Sequence, residues 1–78
     1  MVKVYPTVTT GTLQVIKNVT AEKLTYSIYG LNGNLFRSGA LAMQEGKTEI
    51  DIQNLEAAIY ILRIQSAGSS VAYKIVKQ

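Results

Sequence analysis

Apolar and polar positions alternate in short runs along most of the chain. The longest apolar run, Ala57-Ala58-Ile59-Tyr60-Ile61-Leu62-Arg63-Ile64, is rich in β-branched and aromatic residues and lies between Asn54 and Ala67-Gly68-Ser69. This pattern predicts a buried strand around which the others pack. A period of two sets Tyr60, Leu62 and Ile64 on one face and Ile59, Ile61, Arg63 and Gln65 on the other. The second face starts apolar and ends polar, so the strand is expected to be covered at its beginning and wetter towards its end.

The same alternation marks the remaining elements. Val2 and Val4 open a short strand ended by Pro6, which cannot donate to a ladder and so favours an edge. Residues 7–11 read as a turn or bulge, although Thr7 and Val8 also suit extended pairing. From Thr12 to Lys17, Leu13 and Val15 face inward while Thr12, Gln14 and Ile16 face outward or towards a neighbour. Residues 18–23 form a polar connection, and the sequon Asn18-Val19-Thr20 within it is a pattern common by chance.

Leu24, Tyr26 and Ile28 alternate with Thr25, Ser27 and Tyr29, and Asn32-Gly33 then supplies a strong hairpin signal before the return strand 35–38, which Gly39 ends. Residues 40–44 suit a helical turn by propensity, but Gly39 and Gly46 confine them too tightly for a helix, so a strand or bulged segment is expected. After a turn at Glu45-Gly46-Lys47, Thr48, Ile50 and Ile52 alternate with Glu49 and Asp51, whose carboxylates face solvent. The last strand, 70–76, sets Val71, Tyr73 and Ile75 against Ala72, Lys74 and Val76. About seven short strands with regular turn signals predict an all-β fold, a small antiparallel β-sandwich.

A chain of 78 residues makes a single domain, near the lower size at which a core alone supports folding. It has no Cys and no His, which removes disulfides and the main ligands of zinc, iron and copper sites. No metal or other cofactor is expected. The net charge of +3 comes from scattered basic residues, whereas nucleic-acid binding needs them clustered with stacking aromatics. No apolar run reaches the length of about 20 residues that a membrane-spanning helix requires, so membrane insertion is not expected either. Met1-Val2-Lys3 lacks the apolar core of a signal peptide, and Met1 reads as an expression start ahead of a domain excised from a larger protein.

Catalysis finds little to work with. With no His, no Cys and a lone Asp, Ser-His-Asp and Cys-His arrangements are excluded within the chain. Glu49 and Asp51 share a strand face, yet a calcium site wants several more oxygen ligands, and solvated carboxylates are the simpler reading. Arg63 reads as a strand-end residue whose head reaches water. Tyr26, Tyr60 and Tyr73 fall at core positions, leaving Tyr5 and Tyr29 as surface aromatics, too few for a sugar platform.

Four stretches carry a resemblance. Val4-Tyr5-Pro6 with Gly11-Thr12-Leu13-Gln14-Val15, then Tyr26-Ser27-Ile28-Tyr29-Gly30-Leu31-Asn32-Gly33, then Ala58-Ile59-Tyr60-Ile61-Leu62-Arg63-Ile64, and finally Lys74-Ile75-Val76-Lys77-Gln78 are similar, in this order and spacing, to the C-terminal sorting domain of type IX (Por) secretion system cargo proteins. The chain departs from that family where Thr7-Val8 stands for the usual Asn-Pro, and where Ala58 stands for a glycine of a Pro-x-Gly motif.

The resemblance implies an immunoglobulin-like β-sandwich with Tyr5, Pro6, Gly11, Gly33, Ala58, Tyr60, Leu62 and Arg63 as motif residues of the scaffold. It further implies that residues 1–78 are a non-catalytic signal domain. The parent protein would enter the periplasm of a Gram-negative bacterium by a separate N-terminal signal and be recognised by the type IX apparatus. A surface sortase would then remove the domain as cargo reaches the cell surface or medium.

Lys74, Ile75, Val76, Lys77 and Gln78 are the candidate recognition residues. Alternation places Lys74 and Lys77 on opposite faces, so a receptor reading both would grip the strand's end or edge, as strand addition does. An immunoglobulin-like accessory module binding a carbohydrate or protein is the alternative. Exposed first and last strands would also allow a homodimer by strand pairing or swapping.

Overall fold

The computed structural model describes residues 2–17, 24–42, 45–66 and 68–78. Its strands are β1 (Val2–Tyr5), β2 (Val8–Thr9), β3 (Thr12–Lys17), β4 (Leu24–Gly30), β5 (Leu35–Leu41), β6 (Lys47–Asp51), β7 (Ala58–Ser66) and β8 (Ser69–Lys77). They form a three-stranded sheet of order β1-β3-β6 and a five-stranded sheet of order β2-β8-β7-β4-β5. Inward residues of both sheets make one cluster: Val4, Leu13, Val15, Ile50 and Ile52 from the first side meet Leu24, Ile28, Leu41, Tyr60, Leu62, Ile64 and Ile75 from the second. An all-β sandwich follows, because each sheet has one apolar face that can leave water only against the other.

β7 is the central strand of the larger sheet, paired antiparallel with β4 and β8. Tyr60, Leu62 and Ile64 are buried as alternation requires. The opposite face departs from expectation. Ile59, which should have been covered, is 37% exposed, and Ile61 is half-buried. No third layer among the described elements packs on that side.

Two further expectations are corrected by long-range pairing. The segment 7–11 is not a simple turn, because Val8 and Thr9 pair parallel with Val76 and Lys77, adding an eighth strand and a parallel ladder to an otherwise antiparallel fold. The chain crosses from one sheet at β1 to the other at β2 and returns at β3. The Thr9 hydroxyl secures that return: it accepts from the N–H groups of Gly11 and Thr12, each at 3.2 Å, and donates to the Thr12 carbonyl at 2.9 Å.

Gly39 does not end the return strand either. β5 runs on to Leu41, and a Cβ at Gly39 would sit 3.2 Å from the Tyr26 ring, which lies across the glycine from the paired strand. The ring supplies the packing that glycine lacks. β5 also carries a bulge, since Ile28 pairs with Arg37 and Tyr29 with Leu35, leaving Phe36 as the extra residue.

The hairpin forms where Asn32-Gly33 predicts it. The Gly33 N–H donates to the Gly30 carbonyl at 3.0 Å, the Gly30 N–H donates to the Asn34 carbonyl at 2.8 Å, and Gly33 adopts φ 89°. This is a three-residue loop with glycine in the left-handed position, the geometry of a turn followed by a bulge. The turn at residues 45–47 likewise uses left-handed residues, Glu45 at φ 54° and Gly46 at φ 79°. The connection 18–23, with its sequon, and Met43 and Gln44 lie outside the described residues.

Candidate recognition surface

β8 presents the chain-end residues in alternation, and the two neighbouring strands decide what remains accessible. Lys74 is exposed on the outer face opposite Ile61. Ile75 points into the core opposite Tyr60, 1% exposed. Val76 returns to the outer face, half-buried between Ile59 and Val8. Lys77 is buried on the core side, 9% exposed, between Ala58 and Thr9, and its ammonium donates to the Gln78 carbonyl oxygen at 3.0 Å. Gln78 is exposed. The two lysines therefore do lie on opposite faces, and of the five residues only Lys74, Val76 and Gln78 reach the surface appreciably.

The end of β8 is not a free edge. The Val76 N–H donates to the Thr7 carbonyl at 2.7 Å and the Gln78 N–H donates to the Thr9 carbonyl at 2.8 Å, so the outward backbone donors of this segment are already spent on β2 and the residue before it. A visiting strand would have to displace β2. What the chain end leaves accessible is its outer face and not its edge.

The scaffold residues named by the sequence are dispersed. Tyr5 and Pro6, joined by a cis peptide, are exposed where the chain leaves β1. Gly11 is buried and its carbonyl accepts from the Ile52 N–H at 2.8 Å. Gly33 stands at the hairpin tip, and Ala58 opens β7 opposite Lys77, exposed and without a left-handed backbone. Tyr60 is buried with its hydroxyl donating to the Glu56 carbonyl at 2.6 Å, Leu62 is fully buried, and Arg63 is exposed on the outer face.

Two carboxylates and two aromatics are likewise held in local structure. Glu49 Oε1 accepts from Gln14 Nε2 at 3.0 Å, and Asp51 Oδ1 accepts from the Gln53 N–H at 2.9 Å. No group of three metal-ligating side chains occurs among the described residues. An apolar groove of about 710 Å³ opens at one end of the sandwich, lined by Leu31, Phe36, Leu55, Ile59 and Tyr60 among others. Phe36 stands edge-on to Tyr60, with centroids 5.4 Å apart and planes at 86°. That is the geometry of a packing pair and not of a flat surface on which a sugar ring stacks.

The described residues thus form a small eight-stranded sandwich with an accessible sheet face beside its last strand. Residues 3–78 match the family model for the secretion system C-terminal sorting domain, and the chain belongs to that family, the sorting signals of type IX secretion. Cargo of this system is exported to the cell surface or medium. No curated protein matches the chain.

Proposed function

We propose that this domain is a non-catalytic, removable address. Its parent enters the periplasm by a separate N-terminal signal, the type IX apparatus recognises the folded sandwich, and a surface sortase cuts at or just before β1 once the cargo has crossed the outer membrane. The observation that carries this reading is the family match over residues 3–78, which spans both sheets. The edge position of β1 in its sheet and the exposure of Lys3 support accessibility of that end of the chain to a processing enzyme. Within the chain end, Lys74, Val76 and Gln78 are the residues offered to the apparatus, while Ile75 and Lys77 hold the strand in place.

The test fuses a fluorescent protein, preceded by an export signal, to this domain in a bacterium with an intact type IX system. Fluorescence at the surface or in the medium with the domain, and in the periplasm without it, is the expected result. Equal periplasmic retention in both sinks the proposal. Deleting residues 75–78 is a poor control, because it removes a core isoleucine and both hydrogen bonds to β2. Lys74→Glu is a better one, since a surface change of this kind usually costs within about 0.5 kcal/mol.

A further inference from the structure

The outer face of an antiparallel sheet that meets water should be polar. The five-stranded sheet breaks that rule at one end. Across β2, β8 and β7 the outward residues in one row are Val8, Val76 and Ile59, and the next row across β7, β4 and β5 is Ile61, Tyr29 and Leu35. Val8, Ile59 and Leu35 are 48%, 37% and 55% exposed. Beside this patch on the same face stand Lys74, opposite Ile61, and Arg63, opposite Ala72, both exposed. Further along the face the residues turn small and polar, with Ser27 opposite Ser38 and Gln65 opposite Ser70.

Charge on this face is one-sided. Among the described acidic residues, Glu45, Glu49 and Asp51 belong to β6 or its turn in the other sheet, and Glu56 lies in the loop before β7. No carboxylate among the described residues therefore neutralises Lys74 or Arg63 from within the sheet face. An apolar patch that includes a tyrosine, with basic residues at its rim and a polar surround, has the anatomy of a protein interface.

We infer that this outer face is the docking surface by which the domain meets a protein of the export apparatus, one that presents apolar side chains flanked by carboxylates. The inference rests on the sorting role proposed above and names the surface that carries it. A second copy of this chain fits poorly, since face-to-face pairing would bring four basic side chains into one interface with no described carboxylate to offset them. An anionic lipid surface fits poorly as well: recognition of that kind draws on clusters of about four to eight basic residues, and this face has two.

The test incorporates a photo-crosslinking residue at position 59 of the fluorescent cargo fusion, with position 14 on the other sheet as control, in cells with the intact secretion system. Position 59 is expected to capture an apparatus protein and position 14 not to. In parallel, Lys74→Glu with Arg63→Glu should lower surface delivery by about tenfold or more, the scale of like-charge opposition across an interface. Ile59→Ser should lower it too, with both variants melting cooperatively like the parent domain. Glu49→Lys, which leaves this face untouched, should export normally.

Normal export of folded face variants overturns this inference while leaving the sorting role standing. Failure of the unmodified domain to export overturns both. Crosslinks from position 59 that join two copies of the domain, or that reach only lipid, overturn the assignment of a protein partner.

Discussion

Arg37 of β5 donates its Nη1–H to the backbone carbonyl of Asp51 at the end of β6, tying an edge strand of one sheet to an edge strand of the other. Arg37 pairs with Ile28, so its side chain leaves on the core face of an edge strand. Charges turned inward at an edge, together with a bulge, are what keep such strands from pairing with strangers. Here one side chain both closes the sandwich and guards its flank.

Replacing Arg37 with Ala should therefore act in two ways. Loss of the charged hydrogen bond, partly offset by solvent at this half-exposed position, should lower unfolding free energy by about 1 kcal/mol in a urea titration. The unguarded β5 edge should also raise self-association, visible as a concentration-dependent increase in mass by light scattering. A variant that is less stable yet monomeric throughout would show that the bulge at Phe36 is protection enough.

The Thr9 hydroxyl makes a second prediction. It accepts from two backbone N–H groups, at Gly11 and Thr12, where the chain returns from one sheet to the other. Thr9→Val keeps the shape and removes the acceptor, stranding a buried donor at Gly11, and should cost about 1–3 kcal/mol. Thr9→Ser retains the hydroxyl and should cost less. For a domain of this size each kcal/mol corresponds to about 4–8 °C in melting temperature, so calorimetry separates the two variants.

Tyr60 links the core to the groove by its ring and by its hydroxyl. Tyr60→Phe removes the hydrogen bond to the Glu56 carbonyl and should cost about 0.5–1.5 kcal/mol. A double-mutant cycle of Tyr60→Leu with Phe36→Leu should return a coupling of about 0.5–1.5 kcal/mol for the edge-to-face pair. A coupling near zero would mean that Phe36 merely covers the groove.

Elements whose order depends on neighbouring residues were readable in the chain. The inward sets of β3, β4, β6 and β7 follow from alternation, and the hairpin follows from Asn32-Gly33, because a strand's period and a turn's dihedral demands are written in adjacent positions. β2 was hidden. Two residues carry no measurable period, and their parallel partners Val76 and Lys77 lie at the other end of the chain. The extension of β5 past Gly39 was hidden for a similar reason, since the Tyr26 ring that covers the glycine comes from another strand.

The candidate surface was legible only in part. Lys74 and Arg63 stood out as charges on apolar strands, and alternation put Lys74 and Lys77 on opposite faces, as the structure has them. Their neighbours could not be read. Val8, Val76, Ile59, Ile61, Tyr29 and Leu35 come from five different strands, and each reads by itself as an ordinary strand residue.

By itself the sequence determined the all-β class and the family, because local period and motif order need no partner to be expressed. Tertiary structure alone decided that Lys77 is buried, that β2 occupies the chain-end edge, and that an apolar patch with a basic rim faces outward. Those outcomes depend on which strands become neighbours, and that choice is made by burying the inward faces of both sheets together, a cooperative event that no short stretch of the chain encodes.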